Sequence, residues 1–256
     1  MKEILFQLNK RSKFFAALQL RKIKRLFSKT ELVKEECFEI PIVLNNRNRY
    51  TYLKDLVNWL QNAGYKNIFI LDNESDYPQL LEYYKKTTAK VIYLKENVGY
   101  KALWQTEFYK VLKDKYYIYS DADLIPGQQC PADFVYRLYT ILKKYNAEKC
   151  GPALKINDLP EHYEFKAKVL KNETLFWENM LETDVYDAPI DTTFALYKPF
   201  AFGDAEECKA IRVGGTLTFI HRPWYENSLD LDEETKYYIK NANASSFWYT
   251  KAKTLN

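Results

Sequence analysis

Between residues 38 and 120 four short apolar runs alternate with amphipathic stretches, and few folds accept that order. The runs are 38–44 (FEIPIVL), 67–72 (NIFILD), 90–94 (KVIYL) and 116–120 (YYIYS). Each has the length and the β-branched or aromatic content of a buried strand. After the first, Leu53, Leu56, Val57 and Leu60 recur at i, i+3, i+4 and i+7, and Gly64 stops the helix they imply. Asp76 and Pro78 open a second helix carrying Leu80, Leu81 and Tyr84, and the loop 95–99 opens a third carrying Trp104, Phe108, Val111 and Leu112. The order β-α-β-α-β-α-β predicts an α/β chain with a Rossmann-like, mostly parallel sheet flanked by helices. Such sheets bind ligands at the carboxyl ends of their strands, where this chain places polar residues.

Beyond Pro131 a periodic helix with Phe134, Val135, Leu138, Ile141, Leu142 and Tyr145 follows, and then the alternation weakens. A long connection is expected at 156–190, with apolar strands near 194–197 and 217–220. Nothing in the composition marks a linker. With 47% apolar residues, seven glycines and nine prolines, residues 37–256 read as one domain with a mixed C-terminal part, preceded by a separate segment, 1–36.

The formal charge of +4 is uneven. Residues 1–30 hold nine Lys/Arg against one acid, leaving 29 against 33 in the rest. Between residues 10 and 29, Phe15, Ala16, Leu20, Ile23, Leu26 and Phe27 gather on one side of a helical wheel with most basic residues opposite. This segment suits either an anionic membrane surface or packing on the domain. An acidic body with basic residues at one end argues against nucleic acid as a partner. Cys37, Cys130, Cys150 and Cys208 have neither zinc nor redox spacing. No run reaches the roughly 18 to 20 apolar residues of a membrane span and no apolar leader is recognisable, so a cytoplasmic protein is expected, peripheral to the membrane if the basic segment binds it. In that compartment the sequons at Asn73, Asn172 and Asn243 carry no weight.

The chemistry centres on Asp121-Ala122-Asp123. A diphosphate leaving group gains negative charge as its bond breaks, and a divalent cation held by oxygen ligands can neutralise it. Two aspartates at i and i+2 past a strand end divide the work, one on the metal and one on the ribose or the metal's waters. The chain has a second pair with this spacing, Asp230 and Asp232, but there Glu233 and Glu234 follow and a helical run begins. That pair reads as an N-terminal cap.

Four segments in order, 40–53 (IPIVLNNRNRYTYL), 70–75 (ILDNES), 97–99 (NVG) and 120–124 (SDADL), resemble the signatures of GT-A glycosyltransferases of the family 2 type, over about residues 38–130. The resemblance implies a GT-A fold with a nucleotide-binding half, 37–130, and an acceptor-side half, 131–256. It implies a hexosyltransferase that uses a UDP-sugar and Mn²⁺ or Mg²⁺, acts on a glycan or lipid-linked saccharide in polysaccharide synthesis, and inverts. Nucleotide contacts then fall to Asn46, Arg47, Arg49, Asp72, Asn73, Asn97, Gly99, Lys101 and Asp121. The metal falls to Asp121 and Asp123, with His221 supplied from the C-terminal part, a position a packed histidine would equally suit.

The chain departs from the family pattern in lacking a clear acidic motif for the base. Asp191 is the nearest match, with Asp184, Asp187 and Glu178 as rivals. Trp177, Trp224 and Tyr225 can stack on sugars or fill the core. Two other classes stay open: a nucleotide-binding or membrane-associated scaffold without chemistry, and a nucleotidyltransferase, though the Gly-rich phosphate loop of the latter is missing.

Overall fold

The computed structural model describes residues 19–21, 23–25, 31–201 and 208–242. The first half follows the predicted order: β1 (Ile42–Asn46), α1 (Thr51–Asn62), β2 (Ile68–Asp72), α2 (Pro78–Tyr84), β3 (Lys90–Tyr93), α3 (Phe108–Leu112) and β4 (Tyr117–Asp121). These strands pair in parallel in the order β3-β2-β1-β4. The first strand begins later than its hydropathy implies. Pro41 has no N–H to give a ladder, and residues Glu35–Glu39 form a 3-10 turn that buries Cys37. Gly64, at φ +101°, closes the chain after α1. The third helix is broken: a 3-10 turn over Ala102–Gln105 ends at an extended Thr106, whose hydroxyl bonds Leu103 O (2.8 Å), and α3 restarts at Phe108. Tertiary packing overrides the helical period here. Trp104 lies against Tyr119 (4.7 Å) and Tyr197 (5.6 Å), and Val111 is left exposed.

In the second half β5 (Leu124–Pro126), α4 (Phe134–Lys144), β6 (Lys149–Pro152), α5 (Lys166–Glu173), β7 (Met180–Glu182), β8 (Val185–Asp187), β9 (Ala195–Tyr197), β10 (Ala210–Val213), β11 (Phe219–His221) and α6 (Glu233–Asn241) follow. The long connection is therefore structured, by α5, a 3-10 turn at Thr174–Trp177 and the β7–β8 hairpin. The large sheet runs β3-β2-β1-β4-β9-β6-β10-β8-β7, with β9 and β8 antiparallel to the rest. It is a mostly parallel sheet with helices packed on it, as expected. A separate antiparallel ribbon pairs β5 with β11.

Side-chain alternation gives the sheet two cores. On one face Leu44, Leu53, Leu56, Leu60, Phe134, Leu138 and Phe219 are completely buried, each side chain contributing about 1.5 to 3 kcal/mol. On the other, Val43, Leu71, Leu103, Tyr117 and Tyr119 pack with Tyr197. Tyr117 and Tyr197, opposite each other on β4 and β9, stack with centroids 5.0 Å apart. Gly151 lets β6 approach β9 closely, since a Cβ there would lie 2.2 Å from Phe194 O.

Most of the basic segment lies outside the described residues. Residues 19–21 and 23–25 are helical, with Leu20 and Ile23 exposed. Arg25 meets Glu148 with both Nη atoms (2.6 Å each) and donates through Nε to Pro199 O (2.7 Å). Among the described residues no helix is long and apolar enough to cross a membrane.

Candidate active site

The strand order reverses at β1, whose chain successors lie on one side and β4 on the other, and this opens a crevice at the carboxyl ends. The register sets Asn46 beside Asp72 and Asn45 beside Asp121. A row of polar residues thus follows from pairing alone.

On the β2 side the polar groups bind one another. Asp72 is 3% exposed, accepting from Tyr84 Oη (2.8 Å) and Ser75 N (3.2 Å), and Asn46 Nδ2 donates to the same tyrosine (3.0 Å). Asn73 Nδ2 donates to Gly99 O (2.9 Å) and its Oδ1 accepts Val98 N (2.9 Å), so it grips the 97–99 loop from both ends. Asn97 Oδ1 accepts Gly99 N (2.9 Å), a local turn that Gly99 enters at φ +80°. Lys101 stands over the Tyr100 ring at the mouth of this loop.

Arg47 and Arg49 make contacts with the C-terminal part of the chain. Arg47 Nη1 donates to Asn241 O (2.6 Å), the last residue of α6. Arg49 is 4% exposed; it bonds Thr235 Oγ1 (2.9 Å), pairs with Glu226 (3.6 Å) and lies on the Tyr238 ring (4.1 Å). The last helix thereby clamps the loop after β1. Its Glu234 adds to this, accepting Tyr50 N (2.7 Å), Thr51 N (3.1 Å) and Thr51 Oγ1 (2.7 Å) at the start of α1. Asp232 caps α6 itself through Thr235 N (2.7 Å), which is the role its spacing implies.

On the β4 side the charges converge. Asp121 is tied to Thr192 twice: its amide donates to Thr192 O (3.0 Å), and its Oδ2 accepts the Thr192 hydroxyl (2.6 Å). Burial pushes the Asp121 carboxyl well above the usual carboxylate range. The neighbouring charges of Asp123 and Asp191 add to the shift, while Thr192 and Asn45 oppose it. Asp191, one residue before Thr192, is exposed and near enough for its charge to bear on Asp121. Of its rivals, Asp184 sits at φ +62° in the β7–β8 turn, Asp187 ends β8, and Glu178 follows the 3-10 turn.

The ribbon sets the other partner. Leu124 pairs with His221, and Arg222 N donates to Asp123 O (2.9 Å), so Asp123 and His221 are brought side by side. His221 Nε2 lies 3.6 Å from Asp123 Oδ2, too far for a hydrogen bond and close enough for both to reach one ion. Burial lowers the proton affinity of His221 against the pull of Asp123, with Arg49 lowering it further, which favours the neutral, ligating imidazole. Asp123 Oδ1 is buried without a hydrogen-bond partner. Among the described residues no three His, Cys, Asp or Glu side chains cluster as a metal cage. Two such side chains suit a hard cation only if its remaining ligands come from substrate oxygens and water, an arrangement that Mg²⁺ and Mn²⁺ accept with phosphates.

Ile220 and Ile125 occupy the outer face of the ribbon, opposite the buried Phe219 and His221. Against that face lies a cleft of about 630 Å³ lined by Trp177, Gln128, Gln129, Asn157, Thr216 and Ile220, among others. The sequence did not reveal Thr192 or this cleft: a lone threonine and scattered amides carry no spacing signal.

No family model matches the chain, and no curated protein matches it. Among solved structures it is similar to the crystal structure of GalNAc-T7 with UDP, GalNAc and Mn²⁺, at 13% identity and a TM-score of 0.48 over 75% of this chain. The chain spans 46% of the length of that one.

Proposed function

We propose that the chain is a metal-dependent glycosyltransferase that moves a sugar from a UDP-sugar to a saccharide acceptor, with inversion at the anomeric carbon. The observation that carries this reading is the grouping of Asp123 with His221, and of Asp121 with Thr192 and Asp191, at the carboxyl edge of β1 and β4. Asp123 and His221 would hold Mn²⁺ or Mg²⁺, with Asp121 on the ion's waters or the ribose. When bound, the ion would offset the charge that develops on the departing diphosphate.

Asp191 is the proposed base. Its carboxylate takes the proton of the acceptor hydroxyl as that oxygen bonds to the anomeric carbon and the bond from sugar to phosphate breaks, releasing UDP. Asn73 and the 97–99 loop form the nucleotide side, and Asp72 serves it through lone pairs left over from Tyr84 and Ser75. The cleft beside Trp177, an aromatic platform among amides and hydroxyls that none of Asp121, Asp123, Asp191 and His221 lines, suits sugar units of the acceptor away from the reacting hydroxyl.

Calorimetry with UDP, GDP, CDP and ADP, with Mn²⁺ or with EDTA, tests the reading. Binding of UDP that needs Mn²⁺ and disappears in Asp123→Ala is expected. Asp191→Asn should bind UDP normally and lose turnover, because an amide cannot accept the proton. Absence of any Mn²⁺-dependent nucleotide binding would refute it.

A further inference from the structure

Lys149 in β6 is fully buried and Arg212 in β10 is 3% exposed. On these two strands Cys150, Ile211 and Val213 point into the first core, so Lys149 and Arg212 point from the opposite face. Ionised groups belong in such a place only where acceptors meet them.

What they meet is the segment that leads to Asp191. Arg212 Nε donates to Pro189 O (2.7 Å), its Nη1 bonds Glu173 (2.8 Å), and its guanidinium lies on the Phe176 ring (4.1 Å). Lys149 Nζ donates to Ile190 O and stands over the Tyr197 ring (5.4 Å). The next two residues are Asp191 and Thr192, the latter doubly bonded to Asp121. Outside the sheet ladders, no backbone-to-backbone hydrogen bond among the described residues ties 189–191 to the rest of the protein. Pro189 has no amide to offer, and the strap lies between β8 and β9 without a ladder of its own. Besides the buried side chains of Ala188 and Ile190, its course is held by two side-chain cations, whose charge-assisted bonds to carbonyls are strong where water is excluded.

We propose that Lys149 and Arg212 are positioning residues: by holding the carbonyls of Pro189 and Ile190 they aim Asp191 at the acceptor and Thr192 at Asp121. This rests on Asp191 being the base. It assigns a purpose to two buried charges that lie on β6 and β10, outside the Asp123–His221 pair and the 97–99 loop. An ångström of play in the strap would then act on turnover rather than on donor binding.

The first test is independent of activity. The Asp121 amide donates to Thr192 O and so reports on the strap. In Lys149→Met its hydrogen exchange should rise about tenfold or more, while amides of β1 and β2 keep their protection. The second is kinetic, following UDP release from a panel of UDP-hexoses with water as the acceptor. kcat should fall about 10- to 100-fold with donor KM changed less than about threefold, and in an Asp191→Asn background Lys149→Met should add less than about twofold. Arg212→Lys keeps the charge but loses the Nε donor to Pro189 O, and it should show the same local exchange. It carries both readouts if Lys149→Met does not fold. Unchanged exchange at Asp121, or a full kinetic effect of the substitution on top of Asp191→Asn, overturns the proposal. If wild type releases no UDP to water, the exchange result alone decides whether the cations hold the strap, and the transferase reading is judged separately by Mn²⁺-dependent nucleotide binding.

Discussion

Replacing Thr192 by valine removes one hydroxyl from the centre of the site and almost nothing else. The side chain is 4% exposed and its hydroxyl donates to Asp121 Oδ2 at 2.6 Å, while the backbone bond from the Asp121 amide to Thr192 O remains. The size of the effect depends on what Asp121 carries. Burial, with the charges of Asp123 and Asp191, raises the proton affinity of Asp121, and the Thr192 hydroxyl opposes that shift. A group whose pKa is raised by folding adds stability at low pH that is lost as pH rises through the folded value. Below that value Thr192→Val removes a bond to a neutral carboxyl, worth about 0.5 to 1.5 kcal/mol; above it the bond is to a carboxylate, about 1.5 to 3 kcal/mol. The destabilisation should therefore grow with pH. For a chain of this size the upper range corresponds to a Tm lowered by roughly 3 to 12 °C. Urea unfolding of both proteins in EDTA at a series of pH values measures it. A stability difference that is flat across pH, or shrinks as pH rises, would show that the hydroxyl does not hold an ionising carboxylate.

Three other outcomes follow from the same geometry. Glu234→Gln should cost about 1 to 3 kcal/mol in chemical unfolding, because a charged acceptor of two amides and a hydroxyl at the start of α1 becomes neutral; an unchanged midpoint would mean that α6 is not what closes that helix. Gly151→Ala should fail to give soluble protein or lose about 3 kcal/mol or more, since its Cβ would meet Phe194 O at 2.2 Å, and a normal melting curve would contradict so close an approach of β6 to β9. Mn²⁺ should raise Tm more at about pH 8 than at about pH 5, because protons compete with the ion for Asp121, whose affinity for them is raised, and His221 must be neutral to bind. The lowered pKa of His221 by itself makes the metal-free protein lose stability as pH falls from its unfolded value, and an equal Mn²⁺ effect at both pH values would argue against these ligands.

The sequence by itself determined the first four strands, the first two helices between them, the carboxyl edge where Asn46, Asp72 and Asp121 stand, and the capping role of Asp232. Each of these follows from a local period or from a residue acting on its near neighbours. Only the tertiary structure decided the rest. Lys149 and Arg212 lie in β6 and β10, where their charge hides the strands from any reading of hydropathy; the strap, Glu173 and the rings of Phe176 and Tyr197 make their burial tolerable. Arg47 and Arg49 look like phosphate ligands beside a strand end, yet α6, far along the chain, engages both. Asp123 meets His221 because β5 pairs with β11, and Thr192 reaches Asp121, with the charge of Asp191 close by, because β9 enters the sheet antiparallel beside β4. Contacts between distant segments leave no period in the sequence: they arise from the shape and pairing of elements already formed, and those become known only when the chain is folded.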